Sequence, residues 1–149
     1  MRVRDLPDIS WCLSVDRTQT VADALALMSG ADASAVIVMD GVTNRPAGIF
    51  TERDLVRCHT RFPDKPLSAV FLEQVMTGDL IVAEPEDSVD DAMAMMIRGR
   101  IRHLPVIENK QITGIIALED LVKAHVGALT RELHYLKDYI TDLQDAAHD

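Results

Sequence analysis

The chain carries the same pattern twice. Thr20-Val21-Ala22-Asp23-Ala24-Leu25 is echoed 68 positions later by Ser88-Val89-Asp90-Asp91-Ala92-Met93, and Ala35-Val36-Ile37-Val38-Met39-Asp40 falls opposite His103-Leu104-Pro105-Val106-Ile107-Glu108 at the same offset. Gly48-Ile49-Phe50 then meets Gly114-Ile115-Ile116 at an offset of 66, so one loop is two residues longer in the first copy. Each copy spans only about 45 to 55 residues, too few to bury a comfortable core alone, so the two are expected to pack on one another.

Within each copy the order of elements is legible. A short apolar stretch (Leu13 to Val15; Leu80 to Ala83) precedes a [ST]-x-x-D start signal, Thr20 to Asp23 and Ser88 to Asp91, in which the hydroxyl caps a helix. Val21, Ala24, Leu25 and Met28, matched by Val89, Ala92, Met93 and Met96, fall at i, i+3, i+4, i+7 and form one apolar stripe per copy. The methionines therefore read as core. Two apolar runs follow, separated by polar loops at Asp40 to Arg45 and Glu108 to Gln111, the spacing of paired strands, and then a second helix. The expected fold class is α/β (α+β): two tandem β-α-β-β-α motifs packed sheet to sheet, plus a long C-terminal helix.

The expected organisation is a first motif with an N-terminal lead at 1–59, a linker at 60–74 containing Pro63 and Pro66, a second motif at 75–126, and an amphipathic helix at 127–149. In the tail, Val122, Val126, Leu129, Leu133, Leu136, Ile140 and Leu143 alternate spacings of four and three, a heptad seam about three repeats long. Such a helix either pairs with another helix or folds back on its own module.

Charge and composition narrow the function classes. Twenty-four acids against fifteen Lys and Arg leave a net charge of −9, which repels phosphate backbones and anionic lipid, and 4% aromatics leave few rings for stacking bases. Nucleic-acid and membrane partners are disfavoured. The run Ala35 to Met39 is far shorter than the roughly 20 residues of a membrane span. Cys12 and Cys58 stand in no metal or redox spacing, so a reduced, cytoplasmic protein is expected. His125 and His134, nine apart, lack the i, i+4 pairing of helical metal sites, and no nucleophile–base constellation or phosphate-loop motif is present. No metal site, catalytic residue or catalytic cofactor is expected.

Two features carry recognition chemistry. Gly48-Ile49-Phe50-Thr51-Glu52-Arg53-Asp54 puts Thr at a strand end and Asp on the first turn of the next helix. That carboxylate can cap the Thr51 amide, and it can also accept from both hydroxyls of a ribose beside a phosphate held at the helix N-terminus. The second copy keeps the Gly and Asp120 but has Ala117 where Thr stood, so this site should be weaker or empty. Arg98, Arg100, Arg102 and His103 cluster before the second copy's first long strand, either as a solvated basic face or as the cations that draw a phosphate; the first copy has Ser34 and Ala35 there.

These residues together resemble a tandem cystathionine β-synthase (CBS) domain pair, or Bateman module. The resemblance covers roughly Leu13 to Lys123 and is most specific at Gly48 to Asp54, Arg102 to Ile107 and Val75-Met76-Thr77; Ala117 departs from the pattern. It implies adenine-nucleotide ligands such as AMP, ATP or NAD, or S-adenosylmethionine, in clefts between the copies. Mapped onto this chain, a first site combines Ile49, Thr51, Arg53 and Asp54 with Thr77, Ala83, Ile101, Arg102 and His103, the last two on phosphate. A second, weaker site combines Val15, Ala33, Ser34 and Ala35 with Ile115, Ala117 and Asp120 and lacks cations. The resemblance also implies a homodimer, which the tail seam would reinforce.

The expected function is a non-catalytic regulatory sensor that binds an adenine nucleotide and signals to an unknown protein partner in trans, since no output domain is recognised in cis. The alternative is a dimeric scaffold with vestigial ligand sites, which Ala117 and the tail seam favour.

Overall fold

The computed structural model describes residues 1–7 and 13–148. The first copy is β1 (Ser14–Asp16), α1 (Val21–Gly30), β2 (Ala35–Asp40), β3 (Arg45–Thr51) and α2 (Glu52–Arg61). After a short helix α3 (Leu72–Val75), the second is α4 (Val89–Gly99), β4 (His103–Glu108), β5 (Gln111–Ala117) and α5 (Leu118–His148). The mixed α/β architecture agrees with the expectation. The expected helix start holds at α1, where Thr20 accepts from the Asp23 amide and Asp23 accepts from the Thr20 amide; at α4, Ser88 accepts from the Asp91 amide. The expected stripes face the core: Val21, Ala24 and Met28, and Val89, Ala92 and Met96, are all buried.

The sheets differ, and the sequence supplies the reason. In the first copy β1 runs parallel to β2, and β2 antiparallel to β3. In the second copy β4 and β5 pair alone, and the expected strand at Leu80 to Ala83 is reduced to a single bridge between Ala83 and Val106. The Ile37 amide donates to the Leu13 carbonyl at 2.8 Å, which extends the ladder of the first copy. At the equivalent position stands Pro105, which has no N–H to donate, so the corresponding ladder cannot extend. Both copies keep a register shift at the same place, Val38/Met39 and Val106/Ile107.

Ala35, Ile37, Ile49 and Ile115 form a buried cluster between the two sheets, while each copy's helices cover a separate core on the outer face. The cores are completed by segments from across the chain. Val70, Leu72 and Val75 fill the first core, and Leu72 donates its amide to the Gln19 carbonyl. Val3 and Leu6, from the N-terminal lead, fill the second, where the Val3 amide donates to the Asp87 carbonyl at 2.8 Å and the Val89 amide to the Met1 carbonyl at 3.0 Å. Residues 60–74 therefore hold more than loop: α2 runs to Arg61, and a 3-10 turn at Leu67–Ala69 leads into α3.

Beyond α3 the chain crosses back to β3. Thr77 and Ile49 exchange both amide–carbonyl bonds at 2.9 Å, directly beside Gly48. A Cβ at Gly48 would lie 2.6 Å from the Thr77 carbonyl oxygen and 2.9 Å from the Met76 sulfur. Because the nearest obstacle is backbone, Gly48→Ala is expected to cost about 1–3 kcal/mol, roughly 3–10 °C in Tm for a domain of this size. Gly30→Ala, with nothing within 4 Å, is the control. Equal thermal melts for the two variants would show that the 76–77 segment retreats freely.

Candidate functional site

The β3–α2 turn and the end of α4 face one another across the two copies. Between them lies a cleft of about 430 Å³ whose walls include Ile49, Thr51, Arg53 and Asp54 from one copy and Thr77, Ile101, Arg102 and His103 from the other side. Eight of the nine residues expected for the first site thus line one cleft. Ala83 does not: it is fully buried in the second core, its backbone paired with β4. Glu52, Val56, Arg57 and Gly99 also line this cleft. Arg57 was accessible to sequence reasoning, since it stands one helical turn beyond Asp54.

Asp54 is the centre of this cleft. It is 1% exposed, the one buried charged residue among those described. Its Oδ2 accepts from the Thr51 amide at 2.9 Å, its Oδ1 from the Thr77 hydroxyl at 3.0 Å, and Arg57 approaches Oδ1 at 3.7 Å. The capping role and a role toward a ligand coexist, because each carboxylate oxygen accepts more than one bond. Arg53 spans the cleft and donates to the Arg100 carbonyl at 2.7 Å, where Arg100 closes α4 in the left-handed conformation with φ of 53°. Among the described residues the Arg98 and Arg102 side chains form no ion pair.

A second cleft of about 330 Å³ lies at the pseudo-equivalent place, with Ala33, Ser34, Ala35, Ile115, Ala117 and Asp120 on its walls. Val15, expected here, is instead buried in the first core, as its counterpart Ala83 is in the second. Asp32 and Glu119, not anticipated, join Asp120 and make this cleft acidic. No hydroxyl caps the start of α5 at Ala117, and among the described residues Asp120 has no hydrogen-bond partner comparable to Thr77.

His103 lines both clefts, and its Nε2 lies 2.7 Å from the Ser34 hydroxyl. Burial pushes its pKa below the ordinary histidine value; Glu52 and Glu119 oppose this and Arg102 adds to it. A histidine depressed in the folded state binds its proton more readily when unfolded. Its contribution to stability is therefore whole above the unfolded value of about 6.5 and is lost as pH falls below it. Between pH 7 and pH 5 the Tm of His103→Gln should fall less steeply than that of the wild type; parallel melting profiles would contradict this.

The other candidates assemble no site among the described residues. Cys58 is buried with its thiol pushed up by desolvation, and Cys12 lies outside the described residues. His125 pairs with Asp90 at 3.3 Å, and no cluster of potential metal ligands occurs among the described residues. No helix of the described chain is long and apolar enough to cross a membrane.

Comparison with known proteins accords with this architecture. The family model of the CBS domain matches twice, at residues 3–60 and 72–127. The chain is 36% identical over 133 residues to the CBS domain-containing protein CBSX3, mitochondrial, of Arabidopsis thaliana, an alignment that covers 87% of this chain and 63% of that protein. Its structure is similar to that of the CBS-domain containing protein ATU1752 from Agrobacterium tumefaciens, with TM-score 0.75, 31% identity, and coverage of 83% of this chain and 92% of that one. The CBS domain pair of MJ0100, solved in complex with 5-methylthioadenosine and S-adenosyl-L-methionine, shares the fold at TM-score 0.73 and 19% identity, over 86% of this chain and 98% of that one.

Proposed function

The chain belongs to the CBS-domain family, and from that premise we propose that it is a non-catalytic sensor that holds an adenine nucleotide of the AMP, ATP or NAD type in the first cleft. Paired CBS domains are in general regulatory, ligand-binding modules, and no catalytic family is indicated. The observation that carries the reading is the convergence, in one cleft, of the buried Asp54 carboxylate with Arg53, Arg57 and Arg102. A ribose needs a fixed acceptor for its two hydroxyls, and a phosphate in a chain of net charge −9 needs concentrated cations. Ile49 and Ile101 supply the apolar walls that an adenine ring requires. The adenosine ligands held by MJ0100 support the same ligand class here.

The two clefts are suited to different ligands. Asp32, Glu119 and Asp120 repel phosphate from the second, which leaves it empty or open to an uncharged or cationic nucleoside such as S-adenosylmethionine. We place the protein in the cytoplasm as a homodimer that passes ligand occupancy to a protein partner in trans.

A thermal-shift panel of AMP, ADP, ATP, NAD, NADH and S-adenosylmethionine tests this. A ligand at 100 times its Kd stabilises by about 2.7 kcal/mol, roughly 5–10 °C at this chain length. No shift with any of the six would favour the scaffold reading with vestigial sites, to which Ala117 and the already engaged Asp54 carboxylate point.

A further inference from the structure

α5 has two apolar faces, and its own chain covers one of them. Leu121 is fully buried in the second core, with Leu118 and Ala124 packed beside it. The seam from Val122 to Leu143 lies on a different side of the helix, centred about 90° around from Leu121 at 100° per residue. Its seven side chains are 40–58% exposed. From Leu129 to Ala147 every side chain is exposed, so this part of α5 is an arm about 28 Å long that runs out past the groove Arg131 lines with Met1, Leu6 and Pro7. Folding back on the module, one of the two expectations for the tail, is not what the structure has.

We propose that this arm pairs with α5 of a second copy as a parallel, in-register, two-stranded coiled coil. The alternating spacings put Val126, Leu133 and Ile140 at a positions and Val122, Leu129, Leu136 and Leu143 at d. β-branched residues at two of three a positions, with leucine dominating d, favour two strands over three or four. Charge selects both the partner and its direction. In a parallel pair of identical helices each g residue faces the e residue five positions on in its partner, which sets Glu132 against the partner's Lys137, twice by symmetry. In an antiparallel pair that stacks Leu133 on Leu136, Glu132 would face Tyr139 and Lys137 would face Thr130, with no ion pair formed. Three heptads are short for an independent coiled coil, but Leu121, with Leu118 and Ala124 packed beside it, already anchors the first turns of α5 to the module, so the helix need not be nucleated by association.

This inference rests on the homodimer proposed above, and sedimentation velocity at micromolar concentration separates the two. The wild type should sediment as a dimer, and Leu133→Asp/Leu136→Asp, which alters only exposed positions, as a monomer with an unchanged Tm for the module. A monomeric wild type would overturn both the homodimer and the coiled coil. A double variant that stays dimeric would keep the homodimer and overturn the coiled coil. Glu132→Lys should weaken the dimer at least severalfold, and Glu132→Lys/Lys137→Glu should restore it. Ile140→Cys in a Cys12→Ser background should cross-link to itself under mild oxidation, and failure to do so would overturn the parallel register.

Discussion

Val3→Asp is expected to lower the Tm by roughly 10 °C or more, the largest effect of any single exchange near the N-terminus. Val3 is 0% exposed and packs in the core that also holds Val89, Ala92, Leu104 and Leu121. Its backbone is fixed there by the bond to the Asp87 carbonyl, and Arg4 donates to the Pro85 carbonyl at 3.0 Å. A carboxylate at this place would have no cation within the core, and an uncompensated buried charge costs about 3–5 kcal/mol. At roughly 2–4 °C per kcal/mol for a chain of this length, the loss is conspicuous in a thermal melt. Arg4→Asp, one residue on and exposed, is the control: it sacrifices the surface ion pair with Glu86, worth at most about 1 kcal/mol. If Val3→Asp melts with the wild type, the N-terminal lead does not hold the second copy in solution.

Asp54→Ala is expected to weaken nucleotide binding by about 100-fold or more. Hydrogen bonds to a charged group contribute about 1.5–3 kcal/mol each, a ribose makes two, and each 1.4 kcal/mol is tenfold in Kd. The same exchange strips the Thr51 amide and the Thr77 hydroxyl of their acceptor, so a fall in stability of about 1–3 kcal/mol accompanies it. Isothermal titration of the folded variant, with Asp120→Ala as comparison, separates the two consequences. Asp120→Ala should leave the tighter site untouched, because Asp120 lines only the acidic cleft and the groove beside α5. Equal affinities for wild type and Asp54→Ala would remove the ribose role and with it the nucleotide reading of the first cleft.

Most of this was legible in the repeat. Helix starts at Thr20 and Ser88 and the apolar stripes of α1 and α4 follow from local signals that tertiary packing reinforces, whereas the gathering of Thr51, Asp54, Arg102 and His103 is what the resemblance to the CBS pair implied. What escaped detection has physical causes. Val15 and Ala83 were expected in the clefts, yet β1 is three residues long and its counterpart is a single bridge, too short for alternation to reveal which face a side chain takes. Met1 to Leu6 offers two well-separated apolar anchors, Val3 and Leu6, with no periodicity, so only the assembled second core shows where it belongs. The acidity of the second cleft needed Asp32 and Glu119 brought beside Asp120, three residues separated by up to 88 positions in sequence.

Residues 1–6 complete the second copy, and residues 70–75 complete the first. Each half of the duplication thus keeps, upstream of its own first helix, a piece of the hydrophobic filling of the other half, and the chain is laced rather than strung. Cutting the backbone between Phe62 and Pro66 would leave two fragments, each carrying the other's missing piece. Neither half can melt without uncovering part of its neighbour, so the molecule loses its structure as one unit, and whatever steadies a single cleft steadies the entire chain.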